Sequence, residues 1–96
     1  MKLKVDFNGE IYKGNGFQDL VKKMKLQSYV RESDKSEYMN NVTTRVENFR
    51  GAEITYNDCR EFIMELIRVG AISEMKVKRE DEDLQVYSIN GGDKNE

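Results

Sequence analysis

The chain contains no histidine. Histidine is the most frequent general base in enzymes and the most frequent metal ligand, so its absence removes the usual starting point for both kinds of site. A single cysteine, Cys59, excludes an internal disulfide bond and fits a reducing environment. Proline is absent as well, and no Pro-rich or Ser-rich linker separates two domains. The sequence therefore predicts one domain, over residues 1–89.

Long apolar runs are also missing. No stretch approaches the roughly 18 apolar residues that a membrane-spanning helix needs. The first residues, Met1-Lys2-Leu3-Lys4, begin a predicted strand and lack the apolar segment and cleavage site of a signal peptide. These features predict a cytoplasmic protein with no membrane partner. Residues 90–96 are polar, contain Gly91-Gly92 and are predicted to form a disordered tail.

Charge is distributed unevenly, although the net charge is only −2. Residues 1–31 carry seven Lys/Arg and three Asp/Glu, a balance of +4, whereas residues 32–96 carry nine and fifteen, a balance of −6. The run Arg79-Glu80-Asp81-Glu82-Asp83 places four carboxylates beside one guanidinium. Such a run favours a basic partner and disfavours the backbone of a nucleic acid.

The first residues show the alternation of a strand. Leu3, Val5 and Phe7 alternate with polar residues, and Asn8-Gly9 is a dipeptide typical of tight hairpin turns. We predict strands at about 2–7 and 10–13. A two-residue turn would place Ile11 on the polar face, so the hydrophobic pattern favours a loop with one more residue, which sets Phe7 opposite Ile11.

Apolar residues spaced three and four positions apart predict three helices, over about 17–27, 35–50 and 57–69. Asp34 is the expected N-cap of the second, with Glu37 placed to complete a capping box. The stripes expected to face the core are Phe17, Leu20, Val21 and Met24, then Met39, Val42, Val46 and Phe49, then Cys59, Phe62, Ile63, Leu66 and Ile67.

The third helix is expected to begin after a cap at Asn57 or Thr55 and to end at Gly70. A short strand, Ala52 to Tyr56, is predicted before it, and a hairpin over 71–78 and 84–89 after it. The acidic run forms the tip of that hairpin. The predicted element order is ββααβαββ, which indicates an α+β fold with a small antiparallel sheet and three helices.

Neither the cysteine nor the carboxylates predict catalysis. Cys59 shares a helix face with Phe62 and Ile63, so it is expected to pack in the core, where no histidine can activate it. Glu61 and Glu65 share a helix face, but nothing indicates a cleft beside them. The chain is therefore predicted not to be an enzyme.

Two motifs resemble ligand-binding loops only in part. Gly14-Asn15-Gly16 follows a strand and opens a helix, but Asp19 stands where a dinucleotide fingerprint has its third glycine. The motif is better explained as a pair of glycines that mark the turn before a helix. The second motif is the acidic run, which has the first ligand spacing of a calcium loop at Asp81 and Asp83. In such a loop, Val86 would stand where glycine is needed. We predict no cofactor and no metal site.

The segment 57–89 resembles the recognition helix and wing of winged-helix regulators, because a helix ends at Gly70 and is followed by a hairpin. The resemblance implies DNA binding. The residues that would contact phosphate depart from the pattern, since the hairpin tip is acidic and Asp58, Glu61 and Glu65 offset the basic residues of the helix. A DNA-binding transcription regulator is the alternative function, because the order of helix and hairpin matches the winged-helix pattern although the charges do not.

A second resemblance rests on three segments: Phe7-Asn8-Gly9-Glu10-Ile11-Tyr12-Lys13-Gly14, Glu37-Tyr38-Met39 through Arg45-Val46, and Glu61-Phe62 through Leu66-Ile67-Arg68-Val69-Gly70. They are similar to those of small proteins carried by phages and plasmids of low-GC Gram-positive bacteria. The resemblance implies a setting in which small acidic proteins often inhibit host defence enzymes, including CRISPR nucleases, and it brings no catalytic residue.

The sequence as a whole predicts a non-catalytic protein-binding module, most concretely a phage or mobile-element inhibitor that binds stoichiometrically or mimics DNA. Its expected partner is a larger protein with a basic groove, such as a nucleic-acid-processing enzyme, and direct nucleic-acid binding is not expected. Homodimerisation through an exposed edge strand is an alternative. The predicted partner-binding residues are Glu80, Asp81, Glu82 and Asp83 at the tip, with Asp58, Glu61, Met64 and Glu65 on the third helix.

Overall fold

The computed structural model describes residues 1–28, 30–78 and 85–87. It confirms an α+β fold, in which three helices cover one face of an antiparallel sheet. The elements are β1 (Lys2–Phe7), β2 (Glu10–Asn15), α1 (Phe17–Leu26), α2 (Lys35–Arg50), α3 (Cys59–Arg68), β3 (Ile72–Lys78) and β4 (Gln85–Tyr87). The acidic tip, Arg79–Asp83, and the predicted tail, 90–96, lie outside the described residues.

The sheet is built around β1, which pairs with β2 on one side and β3 on the other. The short β4 is hydrogen-bonded to the outer edge of β3. Both strands beside β1 run antiparallel to it, so residues directly opposite each other project to the same face. This pairing sets the first residues of the chain beside the end of β3: Lys2 lies opposite Lys78, and Leu3 lies opposite Val77.

The β1–β2 hairpin has a two-residue turn, so the predicted longer loop was wrong. Asn8 and Gly9 both have positive φ, at 55° and 84°, and the Gly9 N–H donates to Asp6 Oδ1 at 2.9 Å. Phe7 lies opposite Glu10, which leaves Ile11 on the outer face and 48% exposed. Turn chemistry therefore decided the register against the hydrophobic pattern.

One continuous core lies between the helices and the inner face of the sheet. β1 contributes Leu3 and Val5, and β3 contributes Met75 and Val77, all buried. The helices close over them with the apolar stripes predicted from the sequence. The helix residues buried in this core are Leu20, Val21, Met24, Tyr38, Met39, Val42, Val46, Cys59, Phe62, Ile63, Leu66 and Ile67.

Phe49 is the exception in the second stripe: it is 85% exposed, so its predicted place in the core was wrong. Val46, one turn earlier, is buried, and α2 ends one residue after Phe49, where Gly51 adopts a left-handed conformation. The helix periodicity continues to its last turn, but the core does not extend that far.

The strand predicted from Ala52 to Tyr56 is not formed, because this segment has no regular structure. Its alternation is real, since Ile54 is buried while Thr55 is exposed. Its backbone donors, however, are bonded to side chains: Ile54 N–H donates to Glu47 Oε2 at 2.7 Å, and Thr55 N–H donates to Glu65 Oε1 at 3.4 Å. Carboxylates of the flanking helices take the place of a neighbouring strand.

Candidate functional site

The outer face of the sheet, opposite the helices, carries a group of lysines. Strand alternation turns Leu3 and Val5 into the core, so Lys2 and Lys4 project outward. The same rule applies to β2 and β3, whose outward positions also hold lysine. We call this surface the lysine face; it consists of Lys2, Lys4, Lys13, Lys76 and Lys78.

The lysines stand in two rows across three strands. In the first row Lys4 lies between Lys13 and Lys76, directly opposite both. In the second row Lys2 lies opposite Lys78. Directly opposed residues have Cβ atoms about 5 Å apart, and successive outward residues on a strand are about 6.7 Å apart. Five ammonium groups are thus concentrated on a patch the size of a few nucleotides.

Two carboxylates, Asp6 and Glu74, stand opposite each other in the next outward row and border the lysine face on one side, but few of the lysines are paired with a carboxylate. Lys76 Nζ lies 3.9 Å from Glu74 Oε1, which is a weak and solvent-exposed ion pair. Within the described part of the chain, the other four lysines make no ion pair or side-chain hydrogen bond. Like charges directly opposite each other destabilise a sheet. The lysine face therefore costs folding free energy, and a bound polyanion would offset that cost.

A shallow depression of about 440 Å³ runs from the lysine face to the start of α1. At its rim, Asp19 Oδ2 accepts a hydrogen bond from the Asn15 N–H at 2.8 Å and lies 3.3 Å from Lys23 Nζ. These two contacts, the backbone bond first, lower the pKa of the Asp19 carboxyl. Asp19 therefore stays ionised and offsets the charge of Lys23. The positive charge of the depression that is not offset comes from the lysine face.

The chemistry of this surface suits phosphate groups. Each ammonium offers three donors and a compact charge, which binds a phosphate without the bidentate geometry of arginine. Among the described residues of the first three strands, no aromatic ring lies on this side, because Phe7 and Tyr12 pack on the helix side. Such a surface binds a nucleic-acid backbone by charge and does not stack bases.

Two of the predicted partner-binding residues form the N-terminal cap of α3. Asp58 is the N-cap, where the sequence had suggested Asn57 or Thr55, and its Oδ1 accepts from the Glu61 N–H at 2.8 Å. Glu61 Oε1 in turn accepts from the Asn57 N–H at 2.9 Å. The arrangement resembles a capping box, except that Glu61 accepts from the residue before the N-cap and not from the N-cap itself. Both carboxylates therefore already hold backbone donors.

The other two predicted partner-binding residues of the third helix, Glu65 and Met64, also have contacts within the chain. Arg68 donates to both oxygens of Glu65, at 2.8 and 2.9 Å, and this bond lowers the pKa of the Glu65 carboxyl. Arg68 Nη2, which donates to Glu65, also donates to the Glu53 carbonyl at 2.8 Å and ties α3 to the segment before it. Met64 is half-buried and packs against the core. The four residues lie on one helix, on the side of the sheet opposite the lysine face.

The N-cap at Asp58 gives a direct prediction. Replacing Asp58 by Ala should lower the free energy of unfolding by about 1 kcal/mol, because the Glu61 N–H loses its acceptor at the start of α3. Urea denaturation measures this difference. Asp58→Asn is the matched control, since it keeps an acceptor and removes the charge. Equal stabilities of Asp58→Ala and the unchanged protein would contradict the cap.

Other chemical groups of the described chain do not assemble a reactive centre. Cys59 is buried, and burial raises the pKa of its thiol, which disfavours the reactive thiolate. Within residues 1–28, 30–78 and 85–87, His, Cys, Asp and Glu side chains nowhere cluster in a way that would hold a metal ion. None of the three described helices has the length and apolar character that a membrane span requires.

Sequence reasoning missed the lysine face. It assigned Lys76 and Lys78 to the acidic part of the chain, because charge was counted along the sequence and not across the sheet. The available signal was the Lys-x-Lys pattern that occurs both in the first strand and in Lys76-Val77-Lys78, which the observed register of these strands superimposes. The chain matches no protein-family model, no curated protein and no solved structure.

Proposed function

We propose that this protein is a non-catalytic nucleic-acid-binding protein that holds the phosphate backbone on its lysine face. The observation that supports the proposal is the row in which Lys4 stands between Lys13 and Lys76, beside the opposed pair of Lys2 and Lys78. This arrangement is unfavourable for the isolated sheet and favourable for a bound chain of phosphates.

The chemistry of the face predicts the kind of binding. Lysines that contact phosphates without reading bases give affinity that depends little on sequence and strongly on salt. If all five lysines replace counterions, the logarithm of the binding constant should fall with the logarithm of salt concentration with a slope of about −3.5 for a single strand and about −4.5 for a duplex.

The test is a titration of a fluorescently labelled oligonucleotide with the full chain, followed by anisotropy between about 50 and 200 mM NaCl. We expect binding at the low end, loss of binding towards the high end, and similar affinity for oligonucleotides of unrelated sequence. No binding at about 50 mM NaCl, or an affinity that does not change with salt, would overturn the proposal.

The acidic tip predicted from the sequence supports a separate proposal, in which Glu80–Asp83 capture a basic protein and the chain acts as a stoichiometric inhibitor, with phage-type inhibition of host defence as its concrete form. One variant separates the two proposals. Replacing all four carboxylates by serine removes negative charge that lies within about 18 Å of Lys78 along the chain, so oligonucleotide binding should strengthen. Under the inhibitor proposal, the same variant loses its protein partner.

A winged-helix regulator would also bind nucleic acid, but through α3. Charge reversal on α3, for example Arg60→Glu, distinguishes it from the sheet-based proposal. Arg60 is exposed and lies on the other side of the molecule from the lysine face. We expect oligonucleotide binding to change little in this variant.

A further inference from the structure

A second concave surface lies on the helix side of the molecule. It is a groove of about 610 Å³ between the end of the β1–β2 hairpin and the second half of α2. Its volume is within the range of small-molecule sites, about 300–1,000 Å³. Its floor is apolar and partly aromatic, formed by Phe7, Tyr12, Met24, Tyr38, Val42 and Val46.

The rim of this groove is positively charged. Arg45 and Arg50 line it on α2, and Glu10 is the carboxylate that lines it from β2. Within the described residues neither arginine has an ion pair. The Arg50 guanidinium lies 5.9 Å from the ring centroid of Phe49, which is itself 85% exposed at the mouth of the groove. A guanidinium and an aromatic ring thus stand side by side in solvent.

Tyr38, one of the aromatic residues of the floor, is uncharged. It is buried, and burial raises the pKa of its phenol well above the ordinary value. The hydroxyl therefore keeps its proton at every physiological pH and does not add a negative charge.

We propose that this groove binds a small organic acid with an apolar, preferably aromatic, body and one anionic group. The body would displace water from the exposed surfaces of Phe7 and Phe49. The anionic group would lie against Arg45. Arginine suits a carboxylate or sulfonate because its planar donors can form two parallel hydrogen bonds. This site is independent of the lysine face, since the two surfaces lie on opposite sides of the sheet.

The test uses anilinonaphthalene sulfonate, a fluorescent aromatic anion, and phenylnaphthylamine, a comparable probe without the sulfonate. Titration of the full chain should give saturable fluorescence with one probe per chain. Arg45→Gln should weaken sulfonate binding about tenfold or more and leave the neutral probe nearly unchanged. Arg60→Gln, an exposed arginine on α3, is the matched control and should change neither.

Competition experiments test the charge preference and the location of the site. Decanoate should displace the sulfonate probe and decanol should do so less well, because only the acid offers a charge to Arg45. A saturating oligonucleotide should not displace the probe, which separates this site from the proposed nucleic-acid face. Equal binding of both probes, or sulfonate binding unchanged in Arg45→Gln, would overturn the proposal. A cooperative thermal transition in each variant verifies that the probes report on folded protein.

Discussion

Replacing Gly14 by Ala is expected to abolish or severely weaken folding. A Cβ atom at this position would lie 2.5 Å from the Leu20 backbone N and 2.6 Å from the Leu20 Cα. Backbone atoms cannot rotate away as the end of a side chain can, so α1 would have to move off β2. Leu20 is fully buried, and such a movement would open the core. Overpacking of this kind costs about 3 kcal/mol or more, a large part of the net stability of a small domain.

Thermal denaturation followed by circular dichroism measures the effect. A loss of about 3 kcal/mol corresponds to a fall in Tm of more than about 10 °C for a domain of this size. Gly16→Ala is the matched control: Gly16 has φ of +92° and ψ of 170°, with nothing within 4 Å of an added Cβ, so its replacement strains only the backbone, at about 1–3 kcal/mol. If Gly14→Ala were no worse than Gly16→Ala, the close packing of α1 on β2 would be refuted.

The same glycine shows how far sequence reasoning reaches. The motif Gly14-Asn15-Gly16 was interpreted as the turn before a helix, and α1 does begin at Phe17. The position of Asp19, which argued against a dinucleotide site, has a local explanation, because its carboxylate holds the Asn15 N–H. The close approach at Gly14 had no sequence signal, since it depends on which helix residue crosses the strand.

Features that depend only on residues close together in the sequence were predicted well. All three helices lie within two residues of their predicted bounds, and Asp34 caps α2 by accepting from the Glu37 N–H at 2.9 Å. Apolar periodicity and capping involve residues of a single helix, so both can be predicted without knowing the rest of the fold. The predicted strand at 52–56 was wrong for the opposite reason: alternation can show that a segment is extended and half-buried, but a strand also needs a partner.

The candidate site depends on pairing between distant segments. Lys4 and Lys76 are separated by most of the chain, and only the antiparallel register of β1 and β3 sets them opposite each other. A shift by one residue would have turned these lysines towards the core, and the burial of Leu3 and Val77 prevents that shift. The hydrophobic alternation of both strands therefore fixes the lysine face indirectly.

Reversing the central charge of this face is expected to improve folding and damage binding at once. In the Lys4→Glu variant, two like-charge pairs, with Lys13 and Lys76, become pairs of opposite charge. Each cross-strand pair contributes about 0.2–1 kcal/mol, so the variant should gain about 1 kcal/mol of stability and several degrees in Tm. The same change places a carboxylate at the centre of the phosphate-binding surface and should weaken oligonucleotide binding by about tenfold or more.

Anisotropy at low salt and thermal denaturation are measured on the same samples of Lys4→Glu and of Lys22→Glu. Lys22 is exposed on α1 and has no described ion pair, so its reversal changes the net charge equally without altering the lysine face. We expect Lys22→Glu to leave Tm nearly constant and to weaken binding only slightly. Neutral Lys4→Gln should reduce the steepness of the salt dependence by about one contact. If both reversals weaken binding equally, the oligonucleotide responds to net charge alone, and the lysine face is not the binding surface.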